Sequence, residues 1–208
     1  MPRSQEGLAR LVERDGSSPE VVSAFRSVAR EDFVPPDLIG EAYFDRPVSL
    51  PARQTTSQPT LIARMIDALS IVPDDRVLEV GTGYGFQTAL LTRLAKQVFS
   101  IERHEELATA ARDNLARAGI ESAQVVVGDG WLGFEEAAPF DCIVVSAAAS
   151  QVPGHLADQL AEKGRMVIPV EVSRGEEVIL FTKKEGRLEN VRVITPARFV
   201  PLVPGTPE

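Results

Sequence analysis

Apolar residues recur at three-to-four spacing over Leu8, Leu11 and Val12, and again over Val21, Val22, Phe25 and Val28, which predicts two small amphipathic helices. Gly16-Ser17-Ser18-Pro19 separates them, with Ser18 as the N-cap and Pro19 at the first helical position. The second helix should fade near Arg30. Between Phe33 and Pro59 the prolines at 35, 36, 47, 51 and 59 deny long regular structure, because each lacks an amide proton and restricts its predecessor. Loops of this length in compact domains are functional or disordered. The embedded Tyr43, Phe44, Val48 and Leu50 predict that this one packs.

Beyond Pro59 the pattern alternates between helix and strand. Leu61, Ile62, Met65, Ile66 and Leu69 mark a helix, and Arg76 to Val80 is a short apolar strand ending at glycine. A helix from about Phe86 to Ala95, a strand from Val98 to Ile101 and a helix from about Glu105 to Ala118, stopped by Gly119, follow. Ala123 to Val127 and Asp141 to Ser146 are strands, Pro153 to about Glu162 a helix, and Arg165 to Val170 a fifth strand. Such alternation predicts an α/β fold with a mainly parallel central sheet and helices on both faces. Val178 to Lys184 and Leu188 to Thr195 have no helix between them and predict a closing antiparallel hairpin.

A chain of 208 residues, 44% hydrophobic and 25% charged, suits one domain over 1–208, with 1–58 as a helical cap and loop and 59–208 as the α/β core. The net charge of −8 opposes binding to phosphate backbones, so no nucleic-acid partner is expected. Apolar runs such as Ile143 to Ala149 are too short to span a bilayer, and Met1 to Arg10 has no apolar signal region, so a cytoplasmic monomer away from membranes is expected. Cys142 has no partner for a disulfide, and with His104 and His155 it shows no metal-ligand spacing, so no metal is expected.

The chemistry is announced by Val77-Leu78-Glu79-Val80-Gly81-Thr82-Gly83-Tyr84-Gly85, a glycine turn between strand and helix where backbone can approach a ligand closely. A dinucleotide fingerprint wants glycine or alanine at its sixth place, where Phe86 stands. Glu79 would repel a pyrophosphate and attract the amino group and sulfonium of S-adenosylmethionine. Glu102 ends the second strand, about 20 residues past Gly81, where an acid accepts ribose hydroxyls. Asp129, in Gly128-Asp129-Gly130, reaches the same sheet edge and is placed to accept from an adenine amine. The expected cofactor contacts are Glu79, Gly81, Thr82, Gly83, Gly85, Glu102, Asp129 and Gly130.

This fingerprint resembles the class I S-adenosylmethionine-dependent methyltransferases, with their Rossmann-like fold. Val28-Ala29-Arg30-Glu31-Asp32-Phe33-Val34-Pro35, Gln54-Thr55-Thr56-Ser57-Gln58-Pro59 and Arg198-Phe199-Val200-Pro201-Leu202 narrow the resemblance to the protein-L-isoaspartate O-methyltransferase family, in order from about Leu8 to Val203. The resemblance implies repair: methylation of the free carboxylate of isoaspartyl residues in proteins or peptides, with Ser57 at the family's active-site serine. Thr55, Thr56 and Arg198 are the accompanying substrate-side expectations. Two departures touch that side. Ser49-Leu50-Pro51-Ala52-Arg53 replaces the family's glycine-containing lead-in, and Thr56 stands where the family has isoleucine. Rival readings are a carboxyl or small-molecule methyltransferase on the same scaffold, including peptide-modifying relatives, and a cofactor-binding module without transfer activity.

Overall fold

The structure is a computed structural model describing residues 4–205; the expected domain limits at 1 and 208 lie outside the described residues. Helix α1 spans Gln5–Arg14 and α2 spans Pro19–Ser27, the latter with Ser18 accepting from the Val21 amide and Pro19 opening the first turn. Helix α2 ends three residues before Arg30, because Val28 is already extended, and a single 3-10 turn then carries Arg30–Phe33. The proline-rich stretch holds further short 3-10 turns before α3, Pro59–Leu69.

The alternating segments are β1 (Arg76–Val80), α4 (Phe86–Leu91), β2 (Gln97–Glu102), α5 (Glu105–Arg117), β3 (Ala123–Val127), β4 (Phe140–Val145), α6 (Gly154–Gln159), β5 (Leu160–Val172), β6 (Gly175–Lys184) and β7 (Arg187–Ala197). They build one seven-stranded sheet in the order β3-β2-β1-β4-β5-β6-β7. Strands β3, β2, β1, β4 and β5 run parallel. The antiparallel part is larger than the sequence pattern predicts: β5 also turns back on β6 through Val172 opposite Gly175, so the sheet closes with a meander rather than a lone hairpin.

Two-residue alternation sorts the strands onto two faces. Val77, Val98, Cys142, Val144 and Val167 join the layer formed by α1 to α4 and the end of α5. Leu78, Val80, Phe99, Ile101, Ile143 and Val145 face the other way, onto Leu156 of α6, the loop carrying Phe134, and Leu202. Helices therefore cover both faces unequally. Strand order reverses between β1 and β4, and at that point in an open parallel sheet the strand tips leave a crevice for ligands. Cys142 belongs to the core: burial pushes its thiol up to about 12, which leaves it inert at neutral pH.

Candidate cofactor and substrate site

A cavity opens at the carboxyl ends of β1 and β2, with about 890 Å³ of space free of protein atoms, part of it open to solvent. Its floor is the glycine turn from Gly81 to Tyr84, while Gly85, also expected at the cofactor, lies outside the lining and faces Phe33, Ala111 and Leu115. Gly81, Gly83 and Gly85 all adopt positive φ, at 96°, 56° and 92°. A side chain at Gly81 would crowd Cβ of Ser146 at 3.3 Å, so the strand tips of β1 and β4 approach only because this residue lacks one. Thr82, 4% exposed, lines the cavity while its hydroxyl shares a 2.6 Å hydrogen bond with that of Ser100.

Glu79 does not line the cavity, so its side chain is not placed for the expected direct contact with a cationic cofactor. Its place in β1 turns it toward α4 rather than out of the strand tip. There it is 0% exposed and accepts from Gln87 Nε2 at 3.0 Å, from the Ser100 hydroxyl at 2.6 Å and from the Thr88 hydroxyl. Ser100 stands opposite it in the β1–β2 register. Burial drives the carboxyl up to about 7, against the pull of these three donors. Gln87, which lines the cavity, gives its amide protons to Glu79 and to the Ser146 hydroxyl, and its buried Oε1 has no partner.

Glu102 is where the sequence placed it. It lines the cavity, is 5% exposed, and accepts from the amides of Gly83 at 2.9 Å and His104 at 3.1 Å. These bonds fix the carboxylate, and each oxygen keeps a lone pair for a further donor. Asp129 lies outside the cavity lining: it accepts from the amide of Trp131 at 2.8 Å and from that of Gly205 at 2.6 Å. Both oxygens thus hold backbone, and Asp129 latches the chain's last described residue from outside the lining in which the adenine contact is expected. Gly130 does line the cavity, and a Cβ there would come 2.4 Å from Val80 Cγ1. The latched segment forms a strap. Ala148 and Leu202 donate to Val200 and Ala148 carbonyls at 2.8 and 2.7 Å, and Val200 to Val203 line the mouth. Trp131, partly buried, packs against the core beneath, and Arg198 is exposed outside the lining.

The opposite wall comes from the proline-rich loop. Leu50 and Thr56 amides donate to Gln54 and Val48 carbonyls, both at 2.8 Å, folding 48–56 into a small hairpin. Thr55, Thr56 and Ser57 line the cavity. The Thr56 hydroxyl accepts from Arg30 at 2.9 Å and the Val48 amide at 3.0 Å, whereas among the described residues those of Thr55 and Ser57 have no protein partner. At the start of α3 the Thr60 amide is already taken by Asp45, at 3.0 Å. The residue missed by local pattern is Arg30. It is 0% exposed and donates to the carbonyls of Ala42, Phe44, Arg46 and Ser57 as well as to Thr56.

The family model for protein-L-isoaspartate(D-aspartate) O-methyltransferase matches residues 3–206. The chain belongs to this family. It is 46% identical over 196 residues to a protein-L-isoaspartate O-methyltransferase of Methylorubrum extorquens, covering 94% of this chain and 86% of that one. A Koribacter versatilis protein of the same name is 45% identical over 194 residues, covering 93% and 87%. Among solved structures, a protein-L-isoaspartate O-methyltransferase superposes with a TM-score of 0.86 at 30% identity; 95% of this chain spans 65% of that longer protein. One from Plasmodium falciparum, in complex with S-adenosyl-L-homocysteine, gives 0.84 at 25% identity, covering 97% and 99%.

In the proline-rich loop Ala52 and Arg53 adopt φ of 53° and 58°, the left-handed region that glycine enters without cost.

Proposed function

We propose that the cavity holds S-adenosylmethionine with its ribose on Glu102 and presents the free carboxylate of an L-isoaspartyl residue to it across Ser57. The observation that carries this reading is one cavity lined on one side by the Glu102 carboxylate and on the other by the partnerless hydroxyls of Thr55 and Ser57. The glycine turn admits a ligand to the backbone, and Gln87 Oε1 is a buried acceptor in need of a donor such as the cofactor's amino group. When bound, the cofactor supplies an electrophilic methyl group.

What remains for the chain is placement. A carboxyl of pKa near 4 is already ionised at neutral pH, so no general base is required. Neutral hydroxyl donors hold that anion in line without quenching it, and the Val200 to Val203 strap with Leu50 keeps bulk water away. Ser57 is not a covalent nucleophile: no histidine lines the cavity to activate it. Thr55 lies beside it as a second donor, Thr56 supports the loop from behind, and Arg198 guides the peptide outside the cavity. Residues 1–208 act as one domain, a cytoplasmic monomer that repairs isoaspartyl proteins and takes no nucleic acid. Among the described residues no helix is long and apolar enough to cross a membrane.

The test is transfer of labelled methyl from S-adenosylmethionine to an isoaspartyl peptide, with the aspartyl peptide as control. The wild type labels only the former. Ser57→Ala lowers kcat by about 10-fold or more, the cost of one hydrogen bond to a charged group, and leaves S-adenosylhomocysteine affinity unchanged. Equal labelling of both peptides, or wild-type turnover by Ser57→Ala, refutes the assignment. Tight cofactor binding without transfer to either peptide returns the chain to a binding module.

A further inference from the structure

The methyl-transfer reading leaves one buried charge unused. Arg30 is fully buried, yet every acceptor of its guanidinium is neutral: the carbonyls of Ala42, Phe44, Arg46 and Ser57, at 2.9 to 3.3 Å, and the Thr56 hydroxyl. Its Nε has no partner, and its other neighbour is the Phe86 ring, 5.7 Å from the guanidinium carbon. Burial pulls the group down to about 10, so it stays charged at neutral pH; Asp45 is the acid close enough to oppose that effect. Asp45 is itself occupied by Gln58 and Thr60.

A buried charge is expensive to keep without a counter-ion. Hydrogen bonds to the loop would be a sufficient reason for a neutral donor, but not for a guanidinium. Its position explains more. Arg30 binds the hydroxyl of Thr56 and the carbonyl of Ser57, the two residues that turn toward the cavity wall where a substrate anion is received.

We infer that Arg30 is a positioning residue for the substrate carboxylate: it sets the Thr56–Ser57 wall and, without touching substrate, holds behind it a positive charge that Asp45 offsets only in part and that favours a carboxylate over a neutral group. This rests on the methyl-transfer reading above. It also separates two tasks, since the Ser57 hydroxyl contacts the anion while Arg30 selects for its charge. In surroundings of effective dielectric about 20, a unit charge roughly 8 to 10 Å away changes the binding of an opposite charge by about tenfold or more.

The experiment uses the full chain and two peptides identical except at one site: L-isoaspartate, whose free carboxylate is the methyl acceptor, and isoasparagine, its neutral carboxamide counterpart, assayed as a competitive inhibitor. The readout is the ratio of their binding constants, with S-adenosylhomocysteine affinity measured by calorimetry. Arg30→Gln lowers the preference for the carboxylate by about tenfold and Arg30→Lys retains most of it, with cofactor affinity within about twofold in both. Asp45→Asn, which removes the opposing acid, raises the preference. Arg30→Gln weakening both peptides by the same factor, with the ratio intact, overturns the inference, because that is what a purely structural loop clamp does. Should Arg30→Gln lose cofactor binding through misfolding, Asp45→Asn decides: an unchanged or lower ratio overturns it. Wild-type enzyme that transfers no methyl to the isoaspartyl peptide removes the underlying reading as well, whereas normal transfer with an intact ratio in the variants removes the role of Arg30 alone.

Discussion

Replacing Glu79 with glutamine keeps the shape of the β1–β2–α4 network and removes its ionisation. The carboxyl is raised from 4.5 to about 7 by complete burial. The folded chain therefore holds this proton more tightly than the unfolded chain, and the stability so gained is lost as pH climbs from about 4.5 to about 7, then stays flat. The shift corresponds to about 3 kcal/mol at roughly 1.4 kcal/mol per tenfold in proton affinity. Between pH 5 and pH 8 the wild type should lose about 2 to 3 kcal/mol of unfolding free energy relative to Glu79→Gln. The glutamine oxygen replaces Oε1 as acceptor for Gln87, and its amide faces the Ser100 and Thr88 hydroxyls, which can rotate to accept. Urea unfolding of both proteins at pH 5, 6, 7 and 8 measures the difference, in which titrating groups that do not interact with Glu79 cancel, Glu102 being the one coupled to it. A gap that changes by less than about 0.5 kcal/mol across this range would refute the claim that Glu79 is a desolvated acid whose proton the fold retains.

Two further outcomes follow from the cavity walls. Glu102→Ala removes the acceptor of the Gly83 and His104 amides together with the proposed ribose partner, so S-adenosylhomocysteine affinity falls by about 10- to 100-fold in calorimetry; affinity within twofold of wild type excludes the ribose assignment. Gly130→Ala drives a methyl group against Val80 Cγ1, 2.4 Å away, and overpacking of about 1–3 kcal/mol lowers the melting temperature by roughly 2 to 10 °C. Gly154→Ala, with nothing within 4 Å at a helical position, is the control that does not lower it.

Legibility in the sequence followed locality. Strands Arg76–Val80 and Ala123–Val127 match their predicted limits because apolar runs there are bounded by polar residues and turn signals. The helix predicted to continue to about Glu162 stops at Gln159, since Leu160 pairs with Phe140 and starts β5 instead; long-range pairing overrides local helical spacing. The two-residue turn at Ser173-Arg174, closed by Gly175 at φ 109°, carries the missed antiparallel step between β5 and β6. Helix α4 is shorter than predicted because its end loosens into shorter-range bonds, Arg93 to Leu90 and Leu94 to Leu91.

The site shows the same division. The glycine turn and Glu102 are visible in sequence because strand tip and turn fix where their groups point. Glu79 is legible as a residue but not in its role: alternation along β1 sends it to the helical face, and its three donors come from α4 and β2. Arg30 gives no local signal, since its acceptors lie 12 to 27 residues further along the chain. Asp129 illustrates a subtler limit, because the partner that claims it, Gly205, is separated by 76 residues.

The central claim is that one cavity brings a sulfonium nucleoside and an isoaspartyl carboxylate together between Glu102 and Ser57. A crystal structure of the chain with S-adenosylhomocysteine and an isoaspartyl peptide tests it most directly. Ribose hydroxyls on the Glu102 carboxylate, with the peptide carboxylate within hydrogen-bonding reach of the Ser57 hydroxyl and facing the cofactor sulfur, are the predicted result. A nucleoside bound elsewhere on the sheet edge, or a carboxylate turned away from Ser57, would contradict it.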